Sequence, residues 1–183
     1  QKTKYLQPLL NAEIASCYSM TEPQAGADPG EFLCTATRDG NEWVINGEKW
    51  FASHARFSAF LLVMVVTDTE APIHQGASIF LVEQGTPGMD IIRNSAVGPY
   101  VEQGDGVHAY ISFKDCRVPA HNLLGDEGQG FHVAQTRLGG GRVHHAMRTV
   151  GVIRKALDMM CERAVSRRTK GELLADKQMT QEK

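Results

Sequence analysis

The stretch Cys17-Tyr18-Ser19-Met20-Thr21-Glu22-Pro23-Gln24-Ala25-Gly26-Ala27-Asp28 decides how the rest of the chain is read. Residues 14–20 alternate small and large side chains, the pattern of a half-buried strand. Pro23 breaks that strand, and Ala25-Gly26-Ala27 offers small side chains that let a ligand approach the backbone. Thr21 stands at the join with a hydroxyl that can donate and accept. Glu22 and Asp28 read as acceptors that fix the loop through backbone N–H groups. A strand ending in such a loop is a place where a rigid scaffold holds binding residues.

Outward from that loop the chain reads as β structure. Residues 32–37 form a second strand, with Asp39-Gly40 as a hairpin turn. Residues 42–45 form a third, and Asn46-Gly47 is a second hairpin signal before a return strand at 48–53, so an antiparallel meander is expected. The apolar run 60–66 suits a buried strand and is far too short to span a bilayer. Strands at 77–82, 89–92 and 107–113 follow, set apart by Pro72, Gln75-Gly76, Pro87-Gly88, Gly98-Pro99 and Gly104-Asp105-Gly106. Seven or eight short strands at regular spacing predict a mainly β fold, an antiparallel barrel or sandwich.

The pattern changes after Pro119. Phe131, Val133, Ala134 and Leu138 share one helical face, and Val143, Ala146, Met147, Val150, Ile153, Leu157, Met160, Cys161 and Ala164 recur at steps of three and four. This is a long amphipathic helix. Arg163, Arg167, Arg168 and Lys170 gather toward its C-terminal end, where cations complement the helix dipole. A helix with one apolar face, following a β domain, calls for partner helices and reads as the start of a truncated helical bundle. The expected division is a lead-in at 1–12, a β domain at 13–120 and the start of a helical domain at 121–183. The chain begins with Gln, shows no signal peptide and closes on a polar run, so it reads as an internal piece of a longer protein.

Composition narrows the classes of function. An apolar fraction of 42% and a charged fraction of 22% are those of a globular domain. A net charge of -2 gives no electrostatic reason to expect nucleic acid. Cys17, Cys34, Cys116 and Cys161 are widely spaced, without zinc-ligand spacing, and read as free buried thiols in a reducing compartment; no metal site is expected. Gly125, Gly128 and Gly130 lack the strand–GxGxxG–helix setting of a dinucleotide fold.

A second stretch, Asn46-Gly47-Glu48-Lys49-Trp50-Phe51-Ala52-Ser53, again ends in a hydroxyl residue after an aromatic pair. With the opening stretch it resembles the flavin-binding signatures of the acyl-CoA dehydrogenase family, TEPxAGSD followed by INGxKxWIT/SN. The resemblance continues through Phe113-Lys114-Asp115-Cys116-Arg117-Val118-Pro119, Asn122-Leu123-Leu124-Gly125 and Gly128-Gln129-Gly130-Phe131. It reaches Arg137-Leu138-Gly139-Gly140-Gly141-Arg142-Val143-His144-His145-Ala146-Met147-Arg148, similar to a subgroup whose helix opens RLGxGRxHHxMR.

The resemblance implies FAD as cofactor, with Tyr18, Met20 and Thr21 lining the isoalloxazine ring. Phe51 takes the position of the ring-stacking Trp, and Ser53 that of the hydroxyl residue at the reactive nitrogen; taken alone, Phe51 reads as a core aromatic of a β-strand. Arg167 and Thr169 match the place where one subunit reaches its neighbour's flavin diphosphate, and Gln178 a further flavin contact, which implies a homodimer or homotetramer. Otherwise Arg167 belongs to a solvated cationic helix end. Lys170 departs from the family's usual Phe. For the acyl-CoA substrate the resemblance implies Gly26, Ala27 (usually Ser) and Arg142, for which a structural ion pair is the other reading. His144 and His145 read as packing or capping.

The implied reaction is α,β-dehydrogenation of an acyl-CoA, as in fatty acid β-oxidation and lipid metabolism, with electrons passing to electron-transfer flavoprotein. No catalytic residue is assigned: the base is expected beyond Lys183, since the helix position used by a minority of the family is Gly141 here. The isolated piece is then expected to be inactive. Two alternatives stand beside this reading, an acyl-CoA oxidase and a non-catalytic β-domain scaffold. Thr21-Glu22-Pro23-Gln24-Ala25-Gly26 favours the dehydrogenase over the oxidase pattern TExGHGSN. Acyl chain length and branching are left open, and the compartment stays open among mitochondrion, peroxisome and bacterial cytoplasm.

Overall fold

Residues 42–53, read from the sequence as two strands around a turn, are one continuous strand in the computed structural model, which describes residues 1–26, 28–95 and 108–182. The expected turns at Gly98-Pro99 and Gly104-Asp105-Gly106 and the first residue of the strand at 107 lie outside the described residues, as does Ala27. Asn46-Gly47 is not a turn but stays in the strand opposite a bulge, where Lys114 and Asp115 of the partner strand stand against Asn46. Its pairing shifts register between Ile45 and Gly47, and Asn46 Oδ1 accepts the Asp115 N–H at 2.8 Å. Close packing explains the glycine: Gly47 has φ of 138°, and a Cβ there would stand 2.5 Å from the Cys34 Cα. Positive φ is what glycine permits in a hairpin turn and equally where a strand packs too closely for a Cβ, so Asn-Gly does not by itself mark a turn.

The strands of the first unit (Gln1–Gln135) are β1 (Ser16–Ser19), β2 (Thr35–Asp39), β3 (Glu42–Ser53), β4 (Phe60–Val66), β5 (Ala77–Glu83), β6 (Met89–Asn94) and β7 (His108–Pro119). They form one sheet in the order β1-β4-β2-β3-β7-β6, with β5 also paired to β4. The sheet is mixed, not wholly antiparallel. β1 and β2 both run parallel to β4, β1 against Phe60–Val63 and β2 through Thr35 against Val66. They are two pieces of one edge, separated by the loop that opens the sequence. Of the predicted meander, the hairpin across Asp39-Gly40 is present, with β2 antiparallel to β3, whereas the second turn is corrected: residues 48–53 do not fold back on 42–45 but pair with β7.

One core fills the inner face of this curled sheet. Ile45, Leu61, Val63, Val65, Phe80, Val82 and Ile111 are fully buried there, and the Trp43 and Phe80 rings meet at 5.3 Å. The lead-in, a π-type turn at Lys2–Leu6 and helix α1 (Gln7–Leu10), covers the outer face of β4 and β5 by packing Tyr5 on Phe60. A short helix, α2 (Ile73–Gly76), leads into β5. Asn122 is buried, and its amide donates to the Leu81 carbonyl at 2.9 Å, holding the segment after β7 against β5.

Helix α3 (Gly130–Ser166) runs without a break through Gly139-Gly140-Gly141, so strand and helix are present in about equal measure. In the second unit (Thr136–Lys183) its apolar side chains Val143, Met147, Val150, Ile153, Leu157 and Met160 stand exposed, and with them Cys161, so of the four thiols expected to be buried only Cys17, Cys34 and Cys116 are. The helix ends at Ser166, so Arg167, Arg168 and Lys170 lie beyond it and only Arg163 occupies its last turn. Instead, β8 (Arg168–Thr169) and β9 (Glu172–Leu173) pair across Lys170 (φ 51°) and Gly171 (φ 84°). That two-residue left-handed turn matches the twist of a hairpin. Helix α4 (Gln178–Gln181) follows. Among the described residues no helix is long and apolar enough to cross a membrane.

Gly47→Ala is expected to destabilise the fold by about 3 kcal/mol, since it adds strain at positive φ to a clash with backbone. Urea denaturation of the two proteins checks this; equal midpoints would contradict the packing described.

Candidate functional site

The loop between β1 and β2 is closed at its base by one carboxylate. Glu22 Oε2 accepts the Leu33 N–H at 2.7 Å and the Gln24 amide at 2.6 Å, and both Glu22 oxygens accept from the Cys34 N–H, at 3.1 and 3.2 Å. Beneath it lies Lys49 of β3, whose ammonium donates to Glu22 Oε1 at 2.7 Å and to the Met20 carbonyl at 2.9 Å. The same ammonium sits 4.2 Å from the Phe32 ring centroid. Both side chains of the pair are withdrawn from solvent. Asp28 fixes the far side of the loop by accepting the Gly30 N–H at 2.9 Å. Glu22 and Asp28 are thus loop-fixing acceptors, as expected.

Burial pushes the Lys49 ammonium below its ordinary range, opposed by Cys34, Glu22 and the Glu22 hydrogen bond. Burial also pushes the Cys34 thiol up to about 12, with Lys49 drawing it the other way. At neutral pH that thiol is protonated, so of these two partners Glu22 is the one whose charge faces Lys49.

The sheet curls until the end of β1 meets the middle of β3. Trp50 N–H donates to the Thr21 carbonyl at 3.0 Å, which sets Met20 and Thr21 beside Trp50 and Phe51. Here β3 itself carries a bulge: Lys49 pairs Ile111 and Ala52 pairs Ala109, so Trp50 and Phe51 face Tyr110 together. Phe51 has φ of 50° and is 39% exposed. A large aromatic held in the left-handed region with its ring toward solvent is a strained arrangement of the kind found at binding sites. The Trp50 and Phe51 rings lie 4.5 Å apart, and the Trp50 indole N–H is a buried donor without an acceptor among the described residues.

Ser53, half-buried, lies across the ladder from His108, with Oγ 2.9 Å from His108 Nδ1. On β1, Tyr18 and Met20 are half-buried on the face opposite the fully buried Cys17 and Ser19. The predicted residues Tyr18, Met20, Thr21, Phe51 and Ser53 therefore belong to one region around the β1–β3 contact. Gly26 is exposed in the loop, with φ of 57°.

Arg142, Arg167, Thr169 and Gln178 belong to the second unit, and all four are exposed. Arg167 lies just past α3, its carbonyl accepting the Leu174 N–H at 2.9 Å, and Gln178 donates to Glu182 at 3.0 Å. Among the described residues no three His, Cys, Asp or Glu side chains gather as a metal site.

Two residues of the region carry no prediction from sequence. Lys49 had a signal: it falls on the inward parity of Trp43, Ile45 and Gly47. His108 had none, because its pairing with Ser53 depends on a register between strands 55 residues apart.

Comparison with known proteins bears on this region directly. The sequence model described as "Acyl-CoA dehydrogenase, middle domain" matches residues 17–116, and that described as "Acyl-CoA dehydrogenase, C-terminal domain" matches residues 128–183. The chain belongs to the acyl-CoA dehydrogenase family. Among its relatives, Acyl-CoA dehydrogenase family member 11 of Gallus gallus is 41% identical over 178 residues, covering 95% of this chain and 23% of that protein. The human protein of the same name is 44% identical over 171 residues, covering 91% and 22%. Butyryl-CoA dehydrogenase from Megasphaera elsdenii superposes with a TM-score of 0.73 at 30% identity, covering 98% of this chain and 46% of that one. The chain thus spans under a quarter of the curated relatives named and about half of the solved structure.

Lys49→Met is expected to cost about 3–5 kcal/mol, because it leaves the Glu22 carboxylate buried without a counter-charge. Adding Glu22→Gln should recover part of that loss, since a Gln oxygen still accepts the Cys34 N–H without a charge. A double-mutant cycle by chemical denaturation measures the coupling, and additive losses would contradict it.

A second expectation concerns pH. The folded Cys34 thiol titrates near 12 against its ordinary 9.0. The unfolded thiol releases its proton first, so this contribution is complete below pH 9 and is lost between pH 9 and 12. The difference in stability between wild type and Cys34→Ala should fall by about 1.4 kcal/mol per pH unit in that window. A flat difference would contradict the burial.

Proposed function

We propose that this chain is the flavin-holding part of an acyl-CoA dehydrogenase whose intact form introduces an α,β double bond into an acyl-CoA thioester. The observation that carries the proposal is the Trp50-to-Thr21 hydrogen bond, which joins the two signature segments at one place. When bound, FAD supplies the ring that accepts hydride.

The residues at the β1–β3 contact fit such a ring. Phe51 offers an exposed aromatic face for stacking. Thr21 and Ser53 offer hydroxyls to a polar edge, and Tyr18 and Met20 offer half-buried walls. The Trp50 indole N–H, buried and unpaired among the described residues, is a further donor at hand. Lys49 and Glu22 act beneath the surface, fixing the loop that carries Thr21. In an oligomer, Arg167, Thr169 and Gln178 would reach a neighbour's flavin diphosphate, and an Arg fork suits that anion. Gly26, Ala27 and Arg142 are assigned to acyl-CoA, and electron-transfer flavoprotein to the onward electrons.

We assign no carboxylate of this region as the base that takes the α-proton. Glu22 is committed to Lys49 and three N–H donors, Asp28 to Gly30, and Glu48 accepts from the Tyr110 hydroxyl at 2.6 Å.

Titrating FAD into the protein tests the proposal. The expected result is a bound-flavin absorbance spectrum, with Phe51→Ala weakening affinity about tenfold, the value of one aromatic stacking contact. In the intact protein, an acyl-CoA should bleach the flavin, and oxygen should restore its colour only slowly. Absence of flavin uptake, or rapid peroxide formation, would overturn this reading in favour of a scaffold or an oxidase.

A further inference from the structure

We propose that His108 is a positioning residue for Ser53, taking the serine's hydroxyl proton on Nδ1 so that Ser53 Oγ meets the flavin only as an acceptor. This rests on the flavin reading above. The contact is 2.9 Å long and joins directly paired residues at the end of the β3–β7 ladder. Its geometry is fixed from both sides: Ala52 and Ala109, next to the two residues, are completely buried, and the His108 carbonyl accepts the Ser95 N–H at 2.7 Å. The Phe51 ring meets the imidazole edge-on, with centroids 6.5 Å apart and planes at 69°.

A serine hydroxyl has one proton and two acceptor sites. Among the described residues Ser53 Oγ also reaches the Phe51 carbonyl, at 3.4 Å, a distance at which hydrogen bonds are weak. With Nδ1 at 2.9 Å taking the proton, the oxygen turns only lone pairs outward. The reactive nitrogen of a flavin bears a hydrogen once hydride has arrived, and bears a lone pair before. An acceptor-only Ser53 therefore favours the reduced flavin. His108 acts on the cofactor through the serine, without touching the reacting atoms.

The test uses the intact protein with FAD bound and reads the flavin midpoint potential by spectroelectrochemistry. His108→Ala and Ser53→Ala should each disfavour the reduced form about tenfold, a drop of about 30 mV for a two-electron couple. The double variant should drop no further, because the two residues act in series. His108→Asn should restore the wild-type value, since its Oδ1 can accept where Nδ1 did. It also keeps the test alive should His108→Ala not fold. In the flavin-free protein, ¹⁵N NMR should find Nδ1 unprotonated and shifted by Ser53→Ala. A midpoint unmoved by His108→Ala, additive losses in the double variant, or a protonated Nδ1 would overturn the proposal. Failure of wild-type protein to take up FAD, seen by absorbance alone, would instead overturn the flavin reading and this proposal with it.

Discussion

The Glu22 carboxylate is the constraint on which the rest of the site depends. β1 and β2 run in the same direction along β4, and a loop of some fifteen residues leaves the sheet between them. Such an excursion exposes backbone N–H groups at its base just where the core is driest. Glu22 meets them, binding Leu33 and Cys34 at one end of the loop while its own backbone stands at the other. The cost is a buried anion, which the interior tolerates only with a counter-charge and further hydrogen bonds. Lys49 is that counter-charge, and its second bond, to the Met20 carbonyl, ties β3 to the same place.

Strand β3 converts this internal fixture into a surface. Two irregularities in its pairing with β7 decide what it presents. The first is a bulge in β7 opposite Asn46, where Gly47 lets Cys34 pack against bare backbone and Lys49 keeps the inward parity of Trp43 and Ile45. The second, at Trp50-Phe51, reverses the parity, so that Ala52 is buried and Phe51 faces out. Without it Phe51 would take the inward place after Lys49 and be a core aromatic. The positive φ at Phe51 is the local cost, and the flanking pairs of Lys49 with Ile111 and Ala52 with Ala109 hold it.

Much of this was legible in the sequence, and the remainder was not for identifiable reasons. The runs at 60–66 and 77–82 are apolar throughout and were read within a residue of β4 and β5, because burial on both faces leaves no other pattern. Glu22 and Asp28 were readable as loop-fixing acceptors because short polar side chains beside Pro and Gly seek backbone. Asn46-Gly47 misled because a turn and a strand glycine packed against Cys34 both call for positive φ, and only the distant strand β7 decides between them. The parallel pairing of β1 and β2 to β4, and the meeting of Ser53 with His108, are likewise matters of long-range register. The hairpin at Lys170-Gly171 was hidden by a run of cations that suits a helix end equally well.

The arrangement separates two kinds of polar group. The buried charges are paired at close range, Lys49 with Glu22, so the field beyond the pair is that of a small dipole. The groups around the β1–β3 contact are hydrogen-bonding ones: the hydroxyls of Thr21 and Ser53, the ring nitrogens of His108 and the indole N–H of Trp50. A ring bound there would meet hydrogen bonds of definite direction. Direction is then what the protein can adjust, by choosing which partner holds a hydroxyl's single proton. Ser53 is the hydroxyl for which such a partner is in place.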